Sequence, residues 1–315
     1  PEPFTFGLRA YRFLQDKFHE YDIVHDNQSL SYPLWAIKKS VPMIATIHHP
    51  ITVDRDVAIK SVRAPWKKLK HMRWFSFVGM QRRVSLKFSK IITVSKCARN
   101  DISRDFKIPR QRFRVVPNGI NTNVFYPLRG VERDKNRIMV TNSSDIPLKG
   151  LYYLLQAVAG MSKTREINLT IVGEPKKRGG IERLIRELGI GGLINFTGRI
   201  SDREFNYHYA RAAVAVVPSV YEGFGLPAGE AMACGVPVVS TTGGALPEVV
   251  GDAGLLVPPA DPPALAQAIT SLLDNQDLAA KTGQAGYDRV HRLFTWKRAA
   301  ETTVKAYRES ICDYG

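Results

Sequence analysis

Two carboxylates, Glu222 and Glu230, flank the run Gly223-Phe224-Gly225-Leu226-Pro227 inside a longer stretch from Val214 to Thr241. That stretch opens as an apolar run, breaks at Glu222, resumes as a helix with Pro227 in its first turn, stops at Gly235 and turns apolar again from Val236. Proline suits a first helical turn, where its missing N–H has no partner to lose, and glycine suits a helix end. The order is therefore strand, loop, helix, strand. It brings free main-chain amides and the positive end of a helix dipole to the carboxyl end of a buried strand, which is a place for phosphate. Carboxylates beside a phosphate site do not serve the phosphate; their paired acceptor oxygens suit the vicinal hydroxyls of a ribose or a hexose. A nucleotide-sugar site is the expectation. The plainer reading is that Glu230 only favours the helix dipole while Glu222 is a solvated loop residue.

The wider pattern favours the first reading. Glu222-x7-Glu230, with Ala231-Met232-Ala233-Cys234-Gly235-Val236-Pro237 behind it, resembles the donor-site signature of retaining GT-B glycosyltransferases of the group 1, or family 4, type. Pro117-Asn118-Gly119-Ile120, Pro147-Leu148-Lys149-Gly150, Val172-Gly173, Phe196-Thr197-Gly198-Arg199 and Gly243-Gly244-Ala245-Leu246-Pro247-Glu248 match the same family, in its order, across residues 90 to 310.

The resemblance implies an α/β chain of GT-B type, two Rossmann-like domains facing a cleft. It implies a donor of the UDP or GDP sugar type, an acceptor hydroxyl of unknown identity, retention of configuration, and neither a cofactor nor a metal. Lys149 and the amides of Gly223, Phe224, Gly225 and Leu226 would hold the leaving diphosphate, Glu230 the ribose diol, Glu222 a hydroxyl of the donor sugar, and His48 the sugar or acceptor. The main chain at Gly198, Arg199 and Ile200 would meet the nucleobase, with Gly173 nearby. Asn118 would stand at the hinge, and Gly244 in a second glycine-led cluster of amides. This chain departs from the family at two places: His49 stands where an acid is common, and Asn142 to Ser144 stand where an arginine usually faces the diphosphate. The two glutamates are not expected to act as the nucleophile and acid of a double displacement, because their partners are different parts of the donor. Asp54-Arg55-Asp56 has the spacing of a divalent-cation site; the expectation is that these are loop or acceptor-side residues.

The elements that must position these groups read as strands alternating with helices, which means parallel sheets with binding groups at strand carboxyl ends. In residues 1–118 the strands are 21–26, 42–50, 90–95 and 112–116, with helices in 1–20, 30–37 and 96–106. His48 closes the second strand. Residues 119–136 lose all periodicity and read as a linker. A second domain, 137–294, follows with strands at 137–141, 167–172, 193–197, 214–217, 236–241 and 255–259. The last helix, 295–315, has an apolar face at Trp296, Ala299, Ala300, Val304 and Tyr307, and the resemblance sends it back onto the first domain. In the family further strands precede the point matched by Pro1, so the first domain is expected to be incomplete, a reduced sheet with an exposed edge.

At 315 residues and a formal charge of +16 the chain seeks anionic partners. From Val57 to Asn100 there is no acidic residue, while Lys60, Arg63, Lys67, Lys68, Lys70, Arg73, Arg82, Arg83, Lys87 and Lys90 alternate with Trp66, Met72, Trp74, Phe75, Phe77 and Met80. Residues 60–90 are expected to meet an anionic membrane surface. The competing reading is a core helix pair with a basic outer face. No run is long enough to span a bilayer, and three scattered cysteines suggest a cytoplasmic location, peripheral on the inner membrane face. Nucleic acid binding has only the charge in its favour. The alternative to a transferase is a GT-B-derived nucleotide-binding scaffold without turnover.

Overall fold

The computed structural model describes residues 2–60, 62, 64–141, 146–176 and 178–314. Asn142 to Ser144, expected in the arginine's place, lie outside the described residues, as do Arg63 and Lys177. The chain forms two compact units, residues 1–117 with 299–315 and residues 118–298.

The first unit is built on four parallel strands in the order β1-β2-β3-β4: Val24–Asn27, Met43–Ile47, Ile91–Thr93 and Phe113–Val115. Every residue of β2 is buried, as befits an inner strand of a parallel sheet covered on both faces. Helix Lys96–Phe106 starts where Ser95 Oγ accepts the Ala98 amide at 2.9 Å, and ends at Lys107 in the left-handed region. The carboxyl-terminal helix Trp296–Cys312 packs Ala299 and Ala306 with Ile44, Ile92 and Val116 of this unit.

Two segments differ from expectation. Asp54 to Asp56 lie within a helix, Ile51–Lys60, that buries none of its residues, so its pattern carried no apolar period to read. Their acids already have partners: Asp54 lies 2.7 Å from His49 Nε2, and Asp56 2.8 Å from Arg55. The basic stretch divides in two. Helix Val78–Ser85 buries Val78, Gln81, Val84 and Ser85, whereas helix Pro65–Trp74 buries nothing. The core-helix reading thus describes residues 78–90, with Phe88 fully buried, and only the earlier part stays on the surface.

The second unit has six parallel strands in the order β10-β9-β8-β5-β6-β7. They are β5 Asp134–Thr141, β6 Asn168–Val172, β7 Ile194–Phe196, β8 Ala212–Val217, β9 Val238–Thr241 and β10 Leu255–Val257. The chain builds outward from β5 through β6 and β7, then returns to lay β8 on the other flank of β5. The loops after β5 and β8 therefore diverge at one point on the carboxyl edge, where open parallel sheets bind ligands. A core of Ile138, Leu154, Leu155, Val158, Val214 and Ile269 lies beneath.

The stretch expected as a linker, 119–136, belongs to this unit. Its last residues already form β5, and its first are anchored: the Ile120 amide donates to Phe294 O at 2.7 Å, and Phe125 meets Phe205 and Tyr209 edge to face. Gly119 is needed for proximity, not for a turn, since a Cβ there would lie 2.6 Å from Trp296 Cα. Helix Asp202–Arg211, absent from the pattern reading, opens with a complete capping box between Ser201 and Glu204.

Candidate active site

Lys149 ends a short 3-10 turn, Pro147–Lys149, in the loop after β5. Glu222 follows β8. The two loops are clamped together by the Val220 amide donating to Leu148 O at 2.8 Å. Gly150, at φ +69°, sits so close beneath that a Cβ would lie 1.8 Å from Pro218 O; no other residue type fits there. Across the reversal in strand order, Lys149 Nζ donates to Glu222 Oε1 at 2.8 Å.

A second donor reaches the same oxygen. Ser219 Oγ lies 2.8 Å from Glu222 Oε1. Ser219 is itself fixed through its carbonyl, which accepts the hydroxyl of buried Thr241, and Thr241 Oγ1 in turn accepts the Gly243 amide at 3.1 Å. The Ala245 amide donates to Glu222 O at 2.8 Å. Gly244, at φ +63°, packs so that a Cβ would lie 2.2 Å from that same carbonyl. The glycine-led cluster thus grips the Glu222 main chain while Ser219 and Lys149 hold its side chain, only 12% exposed. Ser219 and Thr241 escaped sequence reasoning, for nothing in their spacing marks them.

Beyond Glu222 the chain enters helix Leu226–Ala233 with Pro227 in its first turn. Gly225 makes the entry at φ +105°, and Phe224 is buried edge to face on Phe294 at 5.6 Å. The amides of Phe224, Gly225 and Leu226 donate to no partner among the described residues. Open amides at a helix start are donors of the kind that can hold an anion.

Glu230 projects from the second turn of this helix. Its carboxyl has no hydrogen-bond partner among the described residues, and burial, reinforced by the charge of Asp202, pushes its pKa up to about 7. A half-buried carboxyl without donors is ready to accept hydroxyls, since each would restore lost solvation of the charged form.

The remaining predicted residues sit elsewhere in the fold. Gly173 and Gly198 lie just past β6 and β7 and join in an isolated bridge, the Gly198 amide donating to Gly173 O at 3.2 Å; Arg199 is exposed and Ile200 half-buried beside them. Among the described residues no hydrogen bond ties this pair to Lys149 or Glu222. Asn118 opens the second unit, half-buried.

His48, in the first unit, lies just past β2. Its Nε2 is 2.7 Å from Asn27 Oδ1 and its amide donates to Gln28 Oε1 at 2.8 Å. Gln28 and Leu30 both have positive φ, a strained turn held by buried Asp26, whose carboxylate accepts the Ser29 and Leu30 amides, and by Gln81 Nε2 donating to Gln28 O at 2.9 Å. With an amide oxygen as partner, Nε2 carries the proton, so Nδ1 of the neutral ring is an acceptor without a partner among the described residues. Burial, then the neighbouring His49, lowers the His48 pKa and keeps the ring neutral.

Comparison with known proteins identifies the family. Residues 129–289 match the model for glycosyl transferases group 1, and residues 1–124 the model for glycosyltransferase family 4. The chain is 42% identical over 315 residues to MMP alpha-(1->4)-mannosyltransferase of Mycolicibacterium hassiacum, covering 99% of this chain and 76% of that protein. It superposes on sucrose-phosphate synthase from Thermosynechococcus elongatus with a TM-score of 0.79 at 27% identity, over 97% of this chain and 77% of the other. The Anabaena protein Alr3699/HepE, solved in complex with UDP, shares the fold with a TM-score of 0.76 at 18% identity, over 96% and 82% of the two chains. The strand order, the two linked glutamate and lysine loops and these matches lead to one assignment: the chain belongs to the group 1 glycosyltransferases and has their GT-B fold.

Proposed function

We propose that the protein transfers a hexosyl group from a nucleotide diphosphate-sugar to an acceptor hydroxyl with retention of configuration. The observation that carries this reading is the Lys149–Glu222 pair at the strand-order reversal, beside open amides at the start of helix Leu226–Ala233. When the donor arrives, its diphosphate takes over the ammonium of Lys149 and the amides of Phe224 to Leu226. Glu222, released from Lys149 but still held by Ser219, turns to a hydroxyl of the sugar. Glu230 takes the ribose diol. As the glycosidic bond breaks, charge grows on the diphosphate, and fixed donors aimed at developing charge are often the largest single contribution to catalysis.

The mannosyltransferase named above makes an α-linked product, and an α-linked product from an α-linked nucleotide sugar is retention. That relative also makes mannosyl transfer the first chemistry to test. The exposed basic and aromatic helix Pro65–Trp74 supports an acceptor carried at a membrane surface, and three cysteines free of disulfides fit a cytoplasmic, reducing setting. No cofactor beyond the donor enters the scheme.

The test is thermal unfolding with UDP, GDP and ADP and their sugar conjugates, beside Glu230→Ala, followed by turnover assays with the donor that binds. A ligand at about 100 times its dissociation constant adds roughly 2.7 kcal/mol, and one base is expected to shift the wild type but not the variant. No shift with any nucleotide would remove the donor site. Binding without turnover of any donor would favour the scaffold alternative.

A further inference from the structure

Helix Pro65–Trp74 lies in an unusual setting. It buries none of its ten residues, and Trp66, Leu69, Met72 and Trp74 are 66, 66, 57 and 66% exposed. So short a helix does not hold in water by its own hydrogen bonds and normally relies on packing an apolar face. Here that face is turned outward, and Trp66, Leu69 and Met72 follow one another at three-residue spacing along one side.

The charge on the helix itself has a single sign, although the adjacent helix Ile51–Lys60 carries Asp54 and Asp56 and Glu2 lines the smaller groove beside Trp74. Lys67, Lys68, Lys70 and Arg73 share the helix, and no acidic residue occurs between Val57 and Asn100. Lys67 Nζ stands 5.3 Å from the Trp66 ring. Trp74 extends the surface on two sides: with Trp66 and Phe75 it lines a groove of about 950 Å³, and with Phe77 and Phe6 of the amino-terminal helix a second of about 330 Å³. Phe6 is 51% exposed. The partner must therefore be apolar and anionic together, over a broad area.

We infer that helix Pro65–Trp74 docks on the headgroup layer of an anionic bilayer. Trp66, Leu69 and Met72 enter the boundary with the acyl chains, the position indole side chains favour, and Lys67, Lys68, Lys70 and Arg73 meet lipid phosphates. A nucleic acid strand fits less well, since Leu69 and Met72 offer no ring on which a base stacks. Docking of this kind is independent of the transfer chemistry, so its failure leaves the donor site as it stands.

Flotation of the protein with vesicles of phosphatidylcholine, alone and with phosphatidylglycerol added, tests it. Binding is expected to the mixed vesicles only, weakening with salt, with tryptophan fluorescence quenched by brominated lipid. Each basic side chain near the surface is worth about fivefold in partition, so Lys67→Ala with Lys70→Ala and Arg73→Ala should lower it on the order of 100-fold. Trp66→Ser with Leu69→Ser should abolish it. Far-ultraviolet circular dichroism checks that each variant is folded, and the conservative Trp66→Phe with Trp74→Phe should still float while losing most of the quenching. Equal binding to neutral vesicles, binding untouched by these replacements, or no vesicle binding at all would overturn the inference. So would the same variants losing oligonucleotide binding or self-association in place of vesicle binding.

Discussion

Lys149 and Glu222 are each other's counter-ion, 2.8 Å apart, although β5 delivers one and β8 the other. In the free protein this contact satisfies both charges, and it is the contact a diphosphate must displace. Lys149→Ala should weaken nucleotide diphosphate binding by about tenfold or more and lower kcat by about 100- to 1000-fold, the loss typical of a donor aimed at developing charge. Isothermal titration and steady-state kinetics measure the two effects. An unchanged kcat would place the leaving group elsewhere.

Ser219 acts on the donor only through Glu222. Ser219→Ala removes one of the two hydrogen bonds that the described residues make to the carboxylate, at a cost in stability of about 1 kcal/mol. Its kinetic effect is expected as a rise in KM for the donor of about tenfold with kcat nearly constant, and nucleotide lacking the sugar should bind as before. A purely structural serine would lower Tm and leave that split absent.

Glu230 makes donor binding depend on pH. Its folded pKa is raised to about 7 from an ordinary 4.5, so between those values the folded state holds a proton that the unfolded state has lost. The stability this confers is complete below pH 4.5 and is lost as pH rises through about 7. Accepting a diol needs the carboxylate, so affinity for a nucleotide diphosphate-sugar, whose phosphates do not titrate in this range, should rise about tenfold per pH unit and level off above pH 7. Glu230→Gln should flatten both profiles, read by thermal unfolding and by titration calorimetry across that range.

His48 offers a neutral Nδ1 while Asn27 holds Nε2. His48→Ala should leave the nucleotide-induced thermal shift intact and reduce turnover about 100- to 1000-fold, within the range for a positioned acid or base. Asn27→Ala, which frees the ring to choose its tautomer, should reproduce part of that loss. Equal turnover in the wild type and His48→Ala would remove His48 from the reaction.

Chelation provides the last check. The acids with cation-like spacing are already occupied, Asp54 by His49 and Asp56 by Arg55, while a lysine and open amides are available for the diphosphate. Initial rates measured in excess EDTA are expected to stay within about a factor of two of those with magnesium, because the proposed scheme gives the charge-neutralising role of a metal to Lys149 and the amides. A collapse of rate restored by Mg2+ would contradict this.

Where the sequence carried its own punctuation, the fold was legible. Helix Lys96–Phe106 has the bounds read for it, and Ser95 caps its start. Helix Asp202–Arg211 also had its signal, Ser201 with Glu204, but its surface carries too few apolar residues to show a period. Residues 118–133 had none: Ile120 and Phe125 anchor the chain one at a time, and isolated anchors leave no repeat to read. The site divides in the same way. Glu222, Lys149 and the glycines belong to contiguous motifs, whereas Ser219, Thr241, Asn27 and Gln28 matter only because separate loops converge, a fact that lives in three dimensions. The basic stretch was a single feature in sequence and two in space, since composition alone does not say which helix turns Val84 and Phe88 inward.

Lys149, Glu222, Glu230 and Gly244 all belong to the unit formed by residues 118–298. The residues proposed to read the donor are thus encoded as one heritable block. On the proposed reading, substitutions confined to residues 1–117 would leave every residue named for the diphosphate and the ribose in place.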